Sequence, residues 1–103
     1  MSNLAPINIA LALESLPQWQ LEEDVKAIGR KFIFPDFAQA FGFMQSIAVK
    51  AQQLDHHPEW SNVYNMVDIR WTNHDAGGLT ERDIGMAKFC DDLFSSTQGR
   101  ADA

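Results

Sequence analysis

The spacing of apolar residues predicts one long helix in the middle of the chain. Residues 36–54 carry apolar side chains at helical intervals, and such a stripe is expected to face a core. The stripe consists of Phe37, Ala40, Phe41, Met44, Ile47, Ala48, Ala51 and Leu54. Pro35 and Asp36 suit a first turn, where proline and an acidic side chain are both favoured. Phe43 and Val49 lie off the stripe and are candidates for a subunit contact.

Alternating patterns predict strands on both sides of this helix. Residues 19–34, WQLEEDVKAIGRKFIF, contain two apolar stretches around the polar EED. The second stretch alternates through Val25, Ala27 and Ile33, and the whole segment is typical of a β-hairpin. Residues 60–74, WSNVYNMVDIRWTNH, also have strand composition. One predicted face of this strand holds Val67, Ile69 and Trp71, and the other holds Asp68, Arg70, Thr72 and His74.

The N-terminal segment fits two kinds of element. Residues 6–16, PINIALALESL, alternate as in a strand, but Pro6 and the alanine and leucine content favour a short helix. We expect the helix, with Pro17 closing it.

The C-terminal third predicts a turn followed by a helix. Paired glycines in DAGGLT, residues 75–80, allow positive φ and therefore indicate a turn. Thr80 and Asp83 have the Ser/Thr-x-x-acid spacing of a helix start, and the helix is expected to continue to about Phe94. We expect a disordered polar tail from about residue 96 to residue 103.

The order helix, hairpin, helix, two strands, helix predicts an α+β fold. An antiparallel sheet with its helices packed on one face gives a two-layer domain. No internal repeat or linker is visible in the 103 residues, so we expect a single domain over residues 1–103.

The composition narrows the classes of protein that fit. Fourteen acidic and eight basic residues give a net charge of −6, and a surface of that sign repels nucleic-acid phosphates, so direct nucleic-acid binding is not expected. No apolar run reaches the ~20 residues that cross a bilayer, and no membrane association is expected. No Lys or Arg precedes the apolar N-terminal part, which argues against a secretory signal. The single cysteine, Cys90, fits a reducing compartment, and a cytoplasmic protein is the default expectation.

The three histidines of the chain are the candidate chemical groups. His56 and His57 lie in LDHHPEW, residues 54–60, and His74 ends the last predicted strand. Pro58 keeps His57 out of a helix, because the residue before proline is driven to extended backbone. In the predicted fold these histidines can open onto one edge of the sheet, beside an aromatic-rich surface. The aromatic residues are Trp19, Trp60, Tyr64 and Trp71.

Three kinds of chemistry can be compared for these residues. Three imidazoles can ligate zinc. However, adjacent side chains of an extended segment point to opposite faces, and no HxH, HxxxH or HExxH spacing is present. No metal site is therefore predicted. Cys90 shares the apolar stripe of the last helix with Ile84, Ala87 and Leu93 and is interpreted as a small buried hydrophobe rather than a nucleophile. Histidine exchanges protons near neutral pH, and aromatic neighbours suit a flat ligand. The residues alone therefore predict a metal-free acid–base site for a planar heteroaromatic ligand.

Four segments and an early tryptophan resemble the pterin-4a-carbinolamine dehydratase family. They are FGFM at 41–44, LDHHPEWSNVYN at 54–65, NHD at 73–75, GGLTERD at 77–83, and Trp19. The likeness extends from about Leu16 to Leu93. It implies a four-stranded antiparallel sheet covered by helices, assembled into homodimers or homotetramers. It also implies dehydration of 4a-hydroxytetrahydropterin to quinonoid dihydropterin without a metal or organic cofactor, which recycles the cofactor of aromatic amino acid hydroxylases.

The resemblance also implies roles for individual residues. His56 and His74 match the acid–base histidines of the family, and His57 matches the histidine that holds and orients the substrate and can assist proton transfer. Asp83 matches an aspartate at the edge of the site. An acid three residues after Thr80 also suits a helix cap, so we expect Asp83 mainly to cap the helix, with a secondary influence on His74.

Two further residues are candidates for the substrate site. Trp19 resembles a pocket wall, with core packing as the alternative. Gln52 departs from the family, which commonly has an acid four residues before the first histidine. At one helical turn from His56, the amide can orient that ring but supplies no charge. Gln52→Glu is therefore expected to raise the pKa that governs the rate.

A function from another class stays open. The resemblance also implies dimerisation with transcription regulators, so the chain is alternatively a non-catalytic dimerisation or assembly partner of a regulatory protein. The last helix and the exposed face of the 36–54 helix offer surfaces for it. A scaffold alone would not need all three histidines, which favours the enzyme.

Overall fold

The structure, a computed structural model, describes residues 6–22 and 26–98. The helices are α1 (Pro6–Leu13), α2 (Phe37–Leu54), a short 3₁₀ helix (His74–Ala76) and α3 (Glu81–Gln98). The strands are β1 (Gln20–Glu22), β2 (Ala27–Ile33), β3 (Glu59–Val63) and β4 (Met66–Thr72). In the described part of the chain these strands form one antiparallel sheet in the order β1-β2-β4-β3. The predicted α+β class and the hairpin of β1 with β2 are therefore confirmed.

The central strands β2 and β4 provide the sheet's contribution to the core. The face predicted for β4 is confirmed, since Val67, Ile69 and Trp71 are fully buried. In β2 the alternating residues do not share one covered face, since Ala27 is buried and Ile33 is 58% exposed, whereas Phe32 is buried. Apolar residues occupy both faces at this end of β2, so a period of two does not specify which face is covered. Val25, predicted in the same alternation, lies outside the described residues.

Helix α2 buries Ala40, Ile47 and Ala51 of the predicted stripe, together with Phe43, which the prediction left out. Asp36 caps it by accepting a hydrogen bond from the backbone N–H of Gln39 at 2.9 Å. The buried positions are Ala40, Phe43, Ile47 and Ala51. Phe43, expected to mark a subunit contact, is a core residue at 4% exposure, and its ring lies 4.9 Å from that of Phe32. The predicted stripe members Phe37, Phe41, Ala48 and Leu54 are exposed instead.

Helices α2 and α3 contact each other and β4, so the sheet is covered where β4 presents its buried face. The N-terminal helix is confirmed, although it ends at Leu13, and i→i−3 turns carry the chain on to Leu16. The predicted tail begins too early, since α3 continues through Gln98; residues 99–103 lie outside the described residues. None of the described helices is both long and apolar enough to cross a membrane.

Candidate active site

The C-terminal end of α2 positions the two adjacent histidines. Asp55 adopts left-handed backbone angles, with φ 51° and ψ 44°, which aspartate tolerates better than most residues. Its N–H donates to the carbonyl of Gln52, and the N–H of His56 donates to that of Ala51 at 3.0 Å. These two bonds make a Schellman-type helix end. His56 leaves this turn buried and His57 leaves it exposed, which agrees with the expectation that adjacent side chains here point apart.

His56 is held on two sides inside the domain. Its Nε2 lies 2.6 Å from Oδ1 of Asp83. Its ring also stacks on Trp71, with 5.5 Å between centroids and 22° between planes. Only 7% of His56 is exposed. Asp83 and Trp71 therefore order this ring and leave little of it exposed to solvent.

Asp83 serves the helix and the histidine at the same time. Its Oδ2 accepts the backbone N–H of Thr80 at 2.8 Å and the Thr80 hydroxyl at 3.1 Å, so the predicted capping role is confirmed. Its other oxygen faces His56 rather than His74, and the expected influence on His74 is wrong. Asp83 has no exposed surface, and a buried carboxylate needs such partners.

The pairing with Asp83 decides which nitrogen of His56 is available for chemistry. An ionised carboxylate accepts hydrogen bonds but donates none, so the contact with Oδ1 assigns the proton of the neutral imidazole to Nε2 of His56. The remaining polar atom of the ring is Nδ1. In the neutral imidazole this atom accepts a proton, and the carboxylate on the other side stabilises the imidazolium that forms.

A polar cavity of about 320 Å³ lies against His56. Its lining comes from the end of α2, the 3₁₀ helix and the start of α3, and consists of Asp55, His56, Asn73, Asp75, Ala76 and Arg82. Asn73 begins the 3₁₀ helix by accepting the backbone N–H of Ala76 at 3.2 Å. The volume of the cavity is within the ~300–1,000 Å³ range of small-molecule pockets. The cavity therefore brings His56 together with the short segment that carries His74.

The other two histidines contact exposed partners. Nε2 of His57 lies 3.2 Å from Oε1 of Gln52. Gln52 therefore contacts His57, whereas a contact with His56 was expected. Nε2 of His74 lies 3.2 Å from Oε2 of Glu59. Glu59 was not among the residues predicted for the site. The signal was available in LDHHPEW, where Glu59 follows the histidines and opens β3 opposite Arg70.

The aromatic residues do not form one surface around the histidines. Trp19 is a core residue that donates its indole N–H to Asp91 at 2.8 Å, which confirms the packing alternative, and it is not among the residues that line the cavity beside His56. Tyr64 lies in the turn between β3 and β4, at the far end of β3 from Glu59. Trp71 is the aromatic residue stacked on a histidine.

Cys90 behaves as the buried hydrophobe that the sequence predicts. It is fully buried, and burial raises the pKa of its thiol from 9.0 to about 12, against a smaller opposing effect from Trp71. The Trp71 indole Nε1 is buried and has no hydrogen-bond partner among the described residues. The described part of the chain contains no group of three or more His, Cys, Asp or Glu side chains placed to hold a metal ion.

The fold and the site define a small α+β domain with a carboxylate-paired histidine beside a polar cavity. The sequence model of the family described as pterin 4 alpha carbinolamine dehydratase matches residues 2–93. The chain belongs to this family of hydro-lyases.

Related proteins agree with this assignment. A Burkholderia ambifaria (strain MC40-6) protein named "Putative pterin-4-alpha-carbinolamine dehydratase" is 54% identical over 89 residues, 86% of this chain and 87% of that protein. A Bordetella avium (strain 197N) protein of the same name is 50% identical over 86 residues, 84% of this chain and 80% of that protein.

Two solved structures have the same fold. The crystal structure of a transcriptional coactivator/pterin dehydratase from Brucella melitensis superimposes with a TM-score of 0.85 at 43% identity, over 89% of this chain and 98% of that chain. A pterin dehydratase-like protein identified as a RuBisCO assembly factor in the alpha-carboxysome has a TM-score of 0.64 at 20% identity, over 75% of this chain and 89% of that chain. The second likeness concerns the fold alone.

Proposed function

We propose that the chain dehydrates 4a-hydroxytetrahydropterin to quinonoid dihydropterin by histidine acid–base catalysis. The family and the names of its relatives support the reaction. The observation that carries the histidine mechanism is the 2.6 Å contact of His56 with the buried Asp83 beside the cavity.

The reaction requires two proton transfers that balance each other. One proton goes to the hydroxyl group on C4a, which leaves as water when the C4a–O bond breaks. One proton leaves N5, whose electron pair forms the N5=C4a double bond. The acid and the base end in exchanged protonation states, and proton exchange with water restores them. No electron acceptor or donor is consumed.

His56 is suited to remove the proton from N5. Its Nε2 is anchored to Asp83 and its ring is fixed by Trp71, so Nδ1 is the atom that can accept a proton. The positive charge that forms on the ring is stabilised by a carboxylate with no exposed surface. Asp83 therefore supports the substrate site through His56.

His74 is suited to donate the proton to the leaving hydroxyl. Its side chain is 68% exposed, so it can regain a proton from water after each turnover. His57, exposed and in contact with Gln52, is suited to hold the substrate at the entrance. The proposal therefore retains His56 and His74 as the acid–base groups. It retains His57 and Gln52 as substrate-binding groups.

Stopped-flow dehydration of synthetic 4a-hydroxytetrahydropterin tests this proposal. His56→Ala and His74→Ala are each expected to lower kcat by about 10²–10⁴-fold, the usual contribution of a positioned proton donor or acceptor. His57→Ala should raise KM more than it lowers kcat. Ser61→Ala, exposed in β3, is the control and should match the parent. If the parent protein does not exceed the uncatalysed rate, the enzyme proposal is wrong.

The wider setting follows from the same proposal. The product is the oxidised form of a tetrahydropterin, so the enzyme would recycle the cofactor of aromatic amino acid hydroxylases. The proposed location is the cytoplasm. A homodimer or homotetramer is proposed because apolar side chains of α2, including Phe37, Phe41 and Val49, are about half exposed in the isolated chain. Light scattering with size-exclusion chromatography measures the state directly.

The second candidate function is assembly or dimerisation with a regulatory protein. The Brucella melitensis protein is titled a transcriptional coactivator as well as a pterin dehydratase. The supporting surface is the exposed pair Phe37 and Phe41, whose ring centroids lie 5.8 Å apart. A chain without turnover that forms a stable complex with another protein, lost in Phe41→Glu, would place this function first.

A further inference from the structure

A chain of charged side chains crosses the sheet and ends at His74. Glu22 on β1 accepts a hydrogen bond from Nε of Arg70 on β4 at 2.9 Å. Arg70 also pairs through Nη1 with Oε1 of Glu59 on the edge strand β3. The second oxygen of Glu59 lies 3.2 Å from Nε2 of His74. The carboxylate of Glu59 is therefore held by the sheet on one side and contacts the histidine on the other.

Gly29 makes the first step of this chain possible. It lies on β2 directly opposite Arg70, between β1 and β4. A Cβ atom built at Gly29 would lie only 3.1 Å from Cδ of Glu22, with the carboxylate oxygen closer still. The Glu22 side chain thus passes over Gly29, in space that any other residue would fill, to reach Arg70.

We propose that Glu59 is a positioning residue that orients His74 for proton transfer, and this inference rests on the proposed dehydratase function. Because Glu59 faces Nε2, the imidazole donates from Nε2 and leaves Nδ1 for the substrate. Asp83 imposes the same arrangement on His56. Each of the two acid–base histidines thus has a carboxylate on its Nε2, one buried and one exposed.

The exposed position explains why His74 needs such a partner. His56 is fixed by burial and by stacking on Trp71, whereas the side chain of His74 is 68% exposed. An exposed imidazole samples several rotamers within nanoseconds unless a contact restrains it. Glu59 can supply that restraint because Arg70 and Glu22 fix its own position. Exposed ion pairs add little to folding, so this network is expected to affect orientation more than stability.

A double-mutant cycle on kcat tests whether Glu59 acts through His74. Glu59→Ala should lower kcat about three- to fivefold, within the range of exposed charge pairs. In the His74→Ala background the same change should have no further effect. Asp68→Ala, which removes a carboxylate on the neighbouring strand β4, is the control and should leave kcat unchanged. Equal effects of Glu59→Ala in both backgrounds would overturn the proposal.

Imidazole dynamics provide a test that does not need catalytic activity. The ¹³C relaxation order parameter of the His74 ring should fall in Glu59→Ala and be partly restored in Glu59→Gln, whose amide oxygen can still accept from Nε2. The His57 ring is the internal control. An unchanged His74 ring overturns the positioning role, whereas absent turnover with a mobilised ring overturns the dehydratase function alone.

Gly29→Ala examines the distant end of the chain without touching Glu59 or His74. The added methyl group should displace the flexible Glu22 carboxylate and weaken its contact with Arg70. The His74 ring should become more mobile than in the parent and less mobile than in Glu59→Ala. A Glu22→Gln variant should give the same intermediate mobility of the His74 ring. If the ring is no more mobile in either variant than in the parent, Arg70 is not fixed through Glu22.

Discussion

Replacing Asp83 by asparagine changes one atom of the buried pair and almost no volume. In the parent, Oδ2 accepts two hydrogen bonds from Thr80, and Oδ1 faces the protonated Nε2 of His56. An amide has one oxygen and one NH₂ group, so its NH₂ group must face donors on one of the two sides. Either the helix cap or the histidine loses its acceptor.

The size of the effect follows from the burial of these groups. Hydrogen bonds to a charged group contribute about 1.5–3 kcal/mol each, and Asp83 has no exposed surface. We expect the free energy of unfolding to fall by about 2–3 kcal/mol, which a domain stable by ~5–15 kcal/mol survives. If the NH₂ group faces His56, the imidazole proton moves to Nδ1 and the proposed base is lost. A kcat reduced by about 10²–10⁴-fold is then expected.

Thr80→Ala is the matched control for this substitution. It removes the hydroxyl donor at the helix start, costs about 1 kcal/mol as a lost cap, and leaves the contact between Asp83 and His56 in place. Urea unfolding measures stability for both variants, and stopped-flow dehydration measures kcat. Should Asp83→Asn keep a kcat within twofold of Thr80→Ala, the assignment of His56 Nδ1 as the base is refuted.

Three further predictions concern other parts of the molecule. Between pH 9 and 12 the unfolded chain releases the Cys90 proton while the folded chain retains it, so the free energy of unfolding should fall by about 1.4 kcal/mol per pH unit. In urea titrations Cys90→Ala should lack this slope, and an equal slope in parent and variant would contradict the raised pKa of Cys90. Gln52→Glu places a carboxylate beside His57, which favours imidazolium and should move the limb of the pH–rate profile that reports imidazole ionisation to higher pH; an unmoved limb counts against the contact. Phe41→Glu should shift an oligomer towards smaller species in light scattering, whereas Ser46→Glu, also exposed on α2, should not; equal shifts would exclude a specific apolar contact.

The element order was predictable because each element carries its own local signal. The hairpin of β1 with β2, the α2 helix and the glycine turn before α3 all lie where the pattern predicts them. Thr80 and Asp83 were recognised as a helix start from their spacing alone, and their hydrogen bonds confirm it. Signals of this kind depend on residues within a few positions of each other.

The covered face of α2 was not predictable in the same way. The helix carries apolar residues on two neighbouring stripes, and either gives a helical period. Phe43 is buried because it contacts Phe32 and Phe34 from the sheet and Phe94 from α3. Phe41 has the same side chain and is exposed. The choice between them depends on partners distant in sequence.

The sequence by itself determined the fold class, the family resemblance and which histidines stand beside a helix end and a strand end. Only the tertiary structure decided the partner of each ring: Asp83 for His56, Gln52 for His57 and Glu59 for His74. Spacing along the chain fixes the direction of a side chain within its element. What that side chain contacts depends on how elements separated by tens of residues pack, and no local pattern records that packing.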